Sequence, residues 1–264
     1  MKIKMKIATY NIWNENKGTG NRQGQILEEI RFCNADIIGL QEVTPDFYQE
    51  YLQKSAYPYG EFRKYSNEYE GLAILSRYPI IACTFLETME EYDFSAALHI
   101  VAEVRGKRFS VSNLHLPWDS AKQKEIQTVA IDRYMHEQAE NMDVSIILGD
   151  FNGSLNSSVH RYLTGEQTLR GCEAKPYWFE LSSAYAAIMG ENIMPTLDFV
   201  NNPRWHGENT TEIPYAADRI YVMYRRGKDV LRSVELFGTK VSEENGLSAS
   251  DHYGVVAEME FVFS

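Results

Sequence analysis

The chain is poor in cysteine. Its 264 residues include only 3 cysteines, Cys33, Cys83 and Cys172, which are widely spaced and set mostly among apolar neighbours. An odd number at such spacing argues against a disulfide framework or a zinc cluster. We predict reduced core thiols without a chemical role.

Long apolar runs are also absent. No stretch approaches the roughly 20 residues that cross a bilayer, so we expect no transmembrane segment. The first residues, rich in lysine, lack the apolar segment and small-residue cleavage site of a secretion signal. We therefore expect the protein in the cytoplasm.

Positive charge is scarce too. There are 26 Lys and Arg residues against 37 Asp and Glu residues, which gives a net charge of −11. Proteins that hold duplex DNA mainly by neutralising phosphates carry a basic surface, so this balance argues against that class without excluding nucleic acid. A divalent cation can offset negative charge locally, whatever the overall balance.

Apolar and aromatic residues, by contrast, are plentiful, at 44% and 12% of the chain. We expect one domain over residues 1–264 with a large core. Helical spacing predicts helices over 23–34, near 46–54, and from 119 or 120 to 136. Strands are predicted over residues 6–10, 36–40, 71–76, 80–87, 96–104, 108–114, 144–149, 218–224, 230–237 and 253–262. This pattern predicts an α/β fold with two mixed sheets packed together and helices outside.

Residues 153–215 are rich in Gly, Asn, Pro and aromatic residues. Such a composition predicts long loops beside a site, and substrate specificity is expected to reside there.

Four apolar runs each end at a polar side chain suited to phosphate chemistry. These four residues are Asn11, Glu42, His115 and Asp150. A buried strand is apolar along its length, so carboxylate, amide and imidazole groups at strand ends indicate a candidate site. Near the C-terminus, residues 248–252 precede another apolar stretch and add a further carboxylate and imidazole, Asp251 and His252.

The chemistry of these groups is compatible with phosphate-ester hydrolysis. Asp150 and Asn152 are two residues apart in an extended segment, so a proton acceptor and an amide donor can act on one group. Glu42 is a hard oxygen ligand of the kind that Mg²⁺ or Mn²⁺ prefers. His115 and His252 can hold a phosphoryl oxygen whose charge rises in the transition state.

Other polar and aromatic residues are secondary candidates. Asp251 can add a carboxylate to the metal site, and Asp218 can fix the tautomer of His252. Trp118 and Trp205 flank the proposed site elements and are candidate substrate contacts, although tryptophan is more often a packing residue. A lone Gly-Asp-x-Asn is usually a turn, so the inference depends on several motifs together.

Five motifs, in one order, resemble the endonuclease/exonuclease/phosphatase superfamily. They are Thr9-Tyr10-Asn11-Ile12-Trp13, Leu40-Gln41-Glu42-Val43, Asn113-Leu114-His115-Leu116, Gly149-Asp150-Phe151-Asn152 and Ser250-Asp251-His252. The resemblance implies a four-layer α/β sandwich, a Mg²⁺-dependent hydrolase of phosphate esters, and a site at one end of the two sheets.

The resemblance also implies roles for single residues. Asn11 orients the catalytic carboxylate or phosphate, and Glu42 is the principal metal ligand with Asp251 nearby. Asp150 positions and deprotonates water. The remaining implied roles belong to groups that hold the phosphate or support those that do: Asn152, His115, His252, Asp218 and, as a partner of His115, Glu70.

The substrate stays open at this point. The motif at 113–115 differs from that of exonuclease III-type abasic-site endonucleases, and Trp13 stands where some members carry an acidic residue. Residues 196–199, with Asp198, resemble the 5′-tyrosyl-DNA phosphodiesterase and deadenylase-like branches, which makes Asp198 a substrate-binding candidate. A nuclease or nucleic-acid-end phosphodiesterase leads, ahead of a sphingomyelinase-like enzyme, a sugar or inositol phosphatase, and a non-catalytic binding module. No obligate protein partner is evident.

Overall fold

The computed structural model describes residues 1–86, 97–205 and 211–263. Its strands are β1 Lys2–Asn11, β2 Ile37–Val43, β3 Tyr59–Lys64, β4 Gly71–Ser76, β5 Ile80–Leu86, β6 Ala97–Val104, β7 Lys107–His115, β8 Val144–Asp150, β9 Trp178–Glu180, β10 Asp218–Met223, β11 Val230–Phe237 and β12 Gly254–Val262. The helices are α1 Arg22–Cys33, α2 Pro45–Phe47 with a π-helical turn over Tyr48–Leu52, α3 Ala121–Ala139, α4 Ser158–Leu163, α5 Leu181–Met189 and a short 3₁₀ helix, Pro203–Trp205.

The ten predicted strands and three predicted helices are present. Positions 87 and 96, at the ends of two predicted strands, lie outside the described residues. Helix α3 begins after Ser120, whose hydroxyl accepts a hydrogen bond from the Gln123 backbone N–H at 3.2 Å and so caps the helix as predicted. In the described chain, no helix combines the length and apolarity needed to cross a membrane.

The prediction of long loops over 153–215 was wrong in part. That segment contains α4, β9 and α5. Helix α5 is capped by Glu180, which accepts a hydrogen bond from the Ser182 backbone N–H at 2.9 Å. Strand β3 was also missed, and it is an edge strand without a buried face.

The strands form two six-stranded mixed sheets, which confirms the predicted fold class. The first sheet has the order β11-β12-β1-β2-β4-β3, and the second has the order β5-β6-β7-β8-β10-β9. Each sheet contains one parallel pair, β1 with β2 and β7 with β8. Helices α1 and α3 make these two crossover connections.

Three apolar clusters give the molecule four layers. The central cluster packs residues of both sheets together, including Ile7 of β1 and Ile146 of β8. A second cluster lies between the first sheet and α1, and a third lies between the second sheet and α3. The order helix, sheet, sheet, helix is the predicted sandwich.

The three cysteines are free thiols. Only Cys33 is fully buried, in the cluster under α1, while Cys83 and Cys172 are partly exposed. The absence of disulfides agrees with the sequence, but the prediction of three core thiols holds for Cys33 alone.

Candidate active site

The carboxyl ends of the two parallel strand pairs lie at the same end of the sandwich. Asn11 is opposite Gln41 in the pairing of β1 with β2, and His115 is opposite Asp150 in the pairing of β7 with β8. The first residue of β10, Asp218, also faces Asp150. The carboxyl ends of strands are where α/β folds place ligand sites, because side chains there leave the sheet into a crevice.

A register break in β2 turns Glu42 toward this end. The pairing of β2 with β4 shifts between Leu40 and Val43, and Glu42 has a φ of 57°. The Asn113 side chain of β7 compensates for the break by donating to the backbone oxygens of Leu40 and Ala73, each at 2.9 Å. An amide from the second sheet therefore stabilises the bulge that presents Glu42.

Gly39 permits this close approach of the sheets. A Cβ atom built on Gly39 would clash with Leu148 and with Asn113, both of the opposite sheet. Only a residue without a side chain fits between the strands here. The spacing of the sheets at the site is therefore set partly by one glycine.

Asp150 is the centre of the cluster. Its Oδ2 atom lies 3.1 Å from Asn11 Nδ2 and 3.4 Å from Asn152 Nδ2. The Nε2 atoms of His115 and His252 lie 3.5 and 3.8 Å from the same oxygen. Asn11 also donates to Glu42 Oε1 at 3.0 Å, so one amide joins the predicted base to the predicted metal ligand.

His252 is held from behind by a fully buried carboxylate. Its Nδ1 atom lies 2.8 Å from Asp218 Oδ2. Burial alone lowers the pKa of His252, but the Asp218 and Asp150 carboxylates outweigh burial and hold that pKa well above its usual value. These charges favour the protonated form of His252, and its Nε2 atom lies on the side of Asp150.

The carboxylate of Glu42 is paired with Lys17. The Lys17 ammonium lies 2.7 Å from Glu42 Oε2 and 3.4 Å from Glu70 Oε2. Burial raises the pKa of Glu42, but His115 and Lys17 lower it more, and the net pKa is below the usual range. Burial raises the pKa of Asp251 to about 6, partly opposed by His252 and reinforced by the charge of Glu42.

These groups border a pocket of about 530 Å³. Of the residues predicted from the sequence, the pocket is lined by Glu42, Glu70, His115, Trp118, Asp150, Asn152, Trp205, Asp251 and His252. Trp118 is 76% exposed, which leaves its ring free at the rim. The Trp205 indole donates to the backbone oxygen of Asp251 at 2.9 Å.

Four predicted residues stand apart, three from the pocket surface and one from its expected partner. Asn11 and Asp218 lie behind its wall and act on lining residues. Asp198 does not line the pocket, and its Oδ1 atom caps its own loop by accepting from the Asn201 backbone N–H at 2.9 Å. Glu70 accepts from Asn14 at 2.6 Å and pairs with Lys17, rather than with His115.

Sequence reasoning missed several pocket residues. They are Lys17, Tyr65, Glu68, Phe199, Glu212 and Tyr215. None of them ends an apolar run, so no strand signal marks them. Lys17 in particular lies in a polar loop that follows β1.

Buried Arg22 fixes the loop after β1. Its guanidinium donates to the backbone oxygens of Trp13, Lys17 and Ala249 at 2.8–2.9 Å. The charged plane also lies 4.6 Å from the centre of the Trp13 ring. One side chain therefore joins the loop that carries Lys17 to the segment that carries Asp251 and His252.

One group of side chains has a geometry compatible with a metal ion. Ligand atoms of Asp150, Asp218 and His252 lie within 4.8 Å of one another. The short hydrogen bond between His252 and Asp218 already uses the Nδ1 atom, however, so we regard this group as a hydrogen-bonded relay. The pairing of Glu42 with an ammonium is the stronger sign of cation binding.

Comparisons with known proteins agree with this architecture. The solved structure of TDP2 from Caenorhabditis elegans has a TM-score of 0.77 at 15% identity, covering 98% of this chain and 75% of that one. TDP2 from D. rerio, complexed with single strand DNA product, has a TM-score of 0.75 at 16% identity, covering 97% and 98%. At this identity the likeness shows the fold.

The sequence comparisons also cover nearly the whole chain. An uncharacterized protein of Caenorhabditis elegans is 25% identical over 300 residues, which cover 98% of this chain and 92% of that protein. Residues 8–252 match the sequence model of the Endonuclease/Exonuclease/phosphatase family, whose members hydrolyse phosphate esters. This match spans every motif from β1 to His252, and the chain therefore belongs to the Endonuclease/Exonuclease/phosphatase family and is a phosphoric ester hydrolase.

Proposed function

We propose that the protein is a divalent-metal-dependent phosphodiesterase that cleaves a nucleic-acid-derived ester, with Mg²⁺ as its ion and Mn²⁺ as a substitute. The observation that carries the proposal is the convergence on Asp150 of two amides and two imidazoles, from the ends of β1 and β7, the loop after β8 and the segment before β12. A carboxylate in such a setting is oriented to take a proton from water. The imidazoles flank the place where an attacked phosphoryl group would lie.

The residues present fit a hard divalent cation. Glu42 offers a carboxylate at the pocket wall, and it already holds a cationic ammonium at 2.7 Å. Asp251 borders the same pocket as a second oxygen donor. Mg²⁺ is commonly held by one or two carboxylates, with water and substrate phosphate completing its coordination. A bound ion would polarise the phosphoryl group and stabilise the charge of the leaving oxygen.

The chain's own residues would supply the remaining catalytic groups. Asp150 accepts the proton of the attacking water, and Asn11 keeps that carboxylate in place. His252 and Asn152 donate hydrogen bonds to phosphoryl oxygens as negative charge develops. Asp218 keeps Nδ1 of His252 engaged, which leaves Nε2–H directed to the pocket.

The pocket lining favours a nucleic-acid substrate. Trp13, Trp118, Trp205, Phe199 and Tyr215 border the cavity, and aromatic rings stack with bases regardless of sequence. The D. rerio relative of the same fold was solved with single strand DNA product. An aromatic pocket with a single Lys or Arg among its described lining residues favours a strand end over a long duplex.

A substrate panel tests this proposal. We would assay single-stranded DNA, a 5′-tyrosyl oligonucleotide, abasic DNA, poly(A), sphingomyelin and inositol phosphates with Mg²⁺ and with Mn²⁺. We expect metal-dependent turnover that EDTA abolishes and that is highest on a nucleic-acid ester. Highest turnover on sphingomyelin or an inositol phosphate would contradict the substrate class. No turnover on any ester would favour the non-catalytic module.

Asp150→Asn tests the proposed base. We expect kcat to fall about 100- to 10,000-fold with little change in KM, because the amide cannot accept the proton of water. Asp143→Asn is the matched control, since Asp143 precedes the same strand β8 at its opposite end and binds Lys107 at 2.9 Å. Wild-type turnover in the Asp150 variant, on the substrate found by the panel, would show that the base is another group.

A further inference from the structure

Lys17 holds its ammonium between two carboxylates of the pocket. The Nζ atom lies 2.7 Å from Glu42 Oε2 and 3.4 Å from Glu70 Oε2. An ammonium and a hard metal ion seek the same carboxylate oxygens, so both cannot occupy this position at once. The lysine therefore stands where a cation bound by Glu42 would stand.

The balance of charges in the pocket also singles out Lys17. Among the described lining residues, six carboxylates are accompanied by a single Lys or Arg side chain, that of Lys17. Carboxylates at close range repel one another unless a cation lies between them. Lys17 supplies that compensation for Glu42 and Glu70 before any metal is bound.

The geometry of the loop after β1 lets the Lys17 side chain move while its backbone stays in place. The backbone oxygen of Lys17 accepts from buried Arg22 at 2.8 Å, which anchors the loop. The Lys17 side chain itself is 45% exposed. Its flexible aliphatic stem can carry the ammonium into solvent without a change in the fold.

We propose that Lys17 is an exchangeable cation of the site, which a divalent ion must displace from Glu42 in order to bind. Lys17 thus competes with the metal and lowers the affinity of the enzyme for it. The inference depends on the proposed function, because it requires Glu42 to be a metal ligand. It adds a residue that the metal must displace, outside the set that performs the reaction.

Titration of the metal-free protein with Mn²⁺, with free Mn²⁺ measured by electron paramagnetic resonance, tests the exchange without substrate. We expect Lys17→Met to lower the Kd for Mn²⁺ about 1.5- to fivefold, the range set by one partly exposed ion pair. A second readout is thermal unfolding. The variant should melt below the wild type without metal and gain more in Tm from saturating Mn²⁺, because unscreened carboxylates destabilise only the metal-free state.

The matched control is Lys54→Met, which removes the same charge from an exposed residue outside the pocket. A Kd for the Lys17 variant equal to or above the wild-type value overturns the proposal. An equal fall of the Kd in both lysine variants also overturns the proposal, because the change in net charge alone would produce that result. Glu42→Gln separates the two hypotheses: Mn²⁺ binding that survives in this variant refutes the metal ligand of the proposed function, whatever Lys17 does.

Discussion

The imidazole of His252 is bound by carboxylates from two neighbouring strands. Asp218 of β10 holds Nδ1 at 2.8 Å, and Asp150 of β8 lies 3.8 Å from Nε2. The two nitrogens therefore have different tasks. Nδ1 is fixed inside the protein by Asp218, and we propose that Nε2, at the pocket, is the atom that meets a phosphoryl oxygen.

Asp218→Asn tests this division. An asparagine keeps the shape of the side chain but removes the charge that favours the imidazolium and can donate to Nδ1 through its own amide. We expect kcat to fall about 100- to 10,000-fold while KM changes little, because the imidazolium acts mainly on the transition state. The measurement is steady-state kinetics on the substrate identified by the panel.

The Asp143→Asn protein again serves as the control for an aspartate replaced at a strand end. Far-ultraviolet circular dichroism and a thermal melt establish that the Asp218 variant is folded. If its kcat stays within about threefold of the wild type, Asp218 is a packing residue and His252 needs no orienting partner.

The sequence identifies the side chains that meet at Asp150 better than it identifies the residues around them. Glu42 and Asp150 follow apolar runs and His252 precedes one, so the apolar runs alone draw attention to them. Lys17 and Tyr215 come from loops, and their place at the pocket depends on backbone paths that periodicity does not encode. Asp198 is a substrate-binding candidate from its motif, but its side chain caps its own loop and lies outside the pocket lining, so this role stays a prediction.

At the scale of elements, β2 and β7 are joined by a side chain that crosses between sheets. Fully buried Asn113 donates to the backbone oxygens of Leu40 and Ala73 and accepts from Gln41 Nε2 at 2.6 Å. The bulge before Val43 would otherwise leave these groups unpaired inside the protein. The stability of this bulge and the position of Glu42 are thus linked.

Asn113→Ala should therefore destabilise the protein and weaken metal binding together. We expect the free energy of unfolding to fall by about 2–4 kcal/mol, because two carbonyl oxygens and one amide lose buried partners. The measurement is urea denaturation, accompanied by the Mn²⁺ titration of the folded protein.

Asn141→Ala, at an exposed position after α3, should change stability by less than about 0.5 kcal/mol. Equal stability of the two variants would mean that water replaces the Asn113 amide. If the Asn113 variant is less stable but binds Mn²⁺ with unchanged affinity, the bulge holds Glu42 in place without the Asn113 side chain.

The elements themselves follow from local signals where those signals are strong. Helix α3 has both a serine cap and helical spacing, and α1 has its apolar face toward the first sheet. Strand β3 pairs only at an edge and lacks alternation, and β9 has only three residues. Short or edge elements depend on a neighbour for stability, which the local sequence does not show.

For the molecule as a whole, the order of strands comes from contacts between distant parts of the chain. β1 pairs with β12, so that Lys2 faces Val262. Apolar periodicity shows that each segment is a strand but not which strand it joins. The pattern of strands and helices predicts two packed sheets, and the resemblance across five motifs implies the four-layer sandwich, whereas the pairing of the first strand with the last is visible only in the structure.

The charge of the whole molecule makes a last prediction for a nucleic-acid substrate. With a net charge of −11 and one Lys or Arg among the described pocket residues, the enzyme can contact few phosphates by cationic side chains. Each such contact to a single strand contributes about −0.7 to the slope of log affinity against log salt. One or two contacts predict that kcat/KM falls only about three- to sevenfold between 50 and 200 mM KCl at fixed Mg²⁺. A steeper loss, about 100-fold or more, would require a basic groove elsewhere on the protein.

Lys17→Met should flatten this salt dependence further if the displaced ammonium contacts substrate phosphate, and Lys54→Met should leave it unchanged.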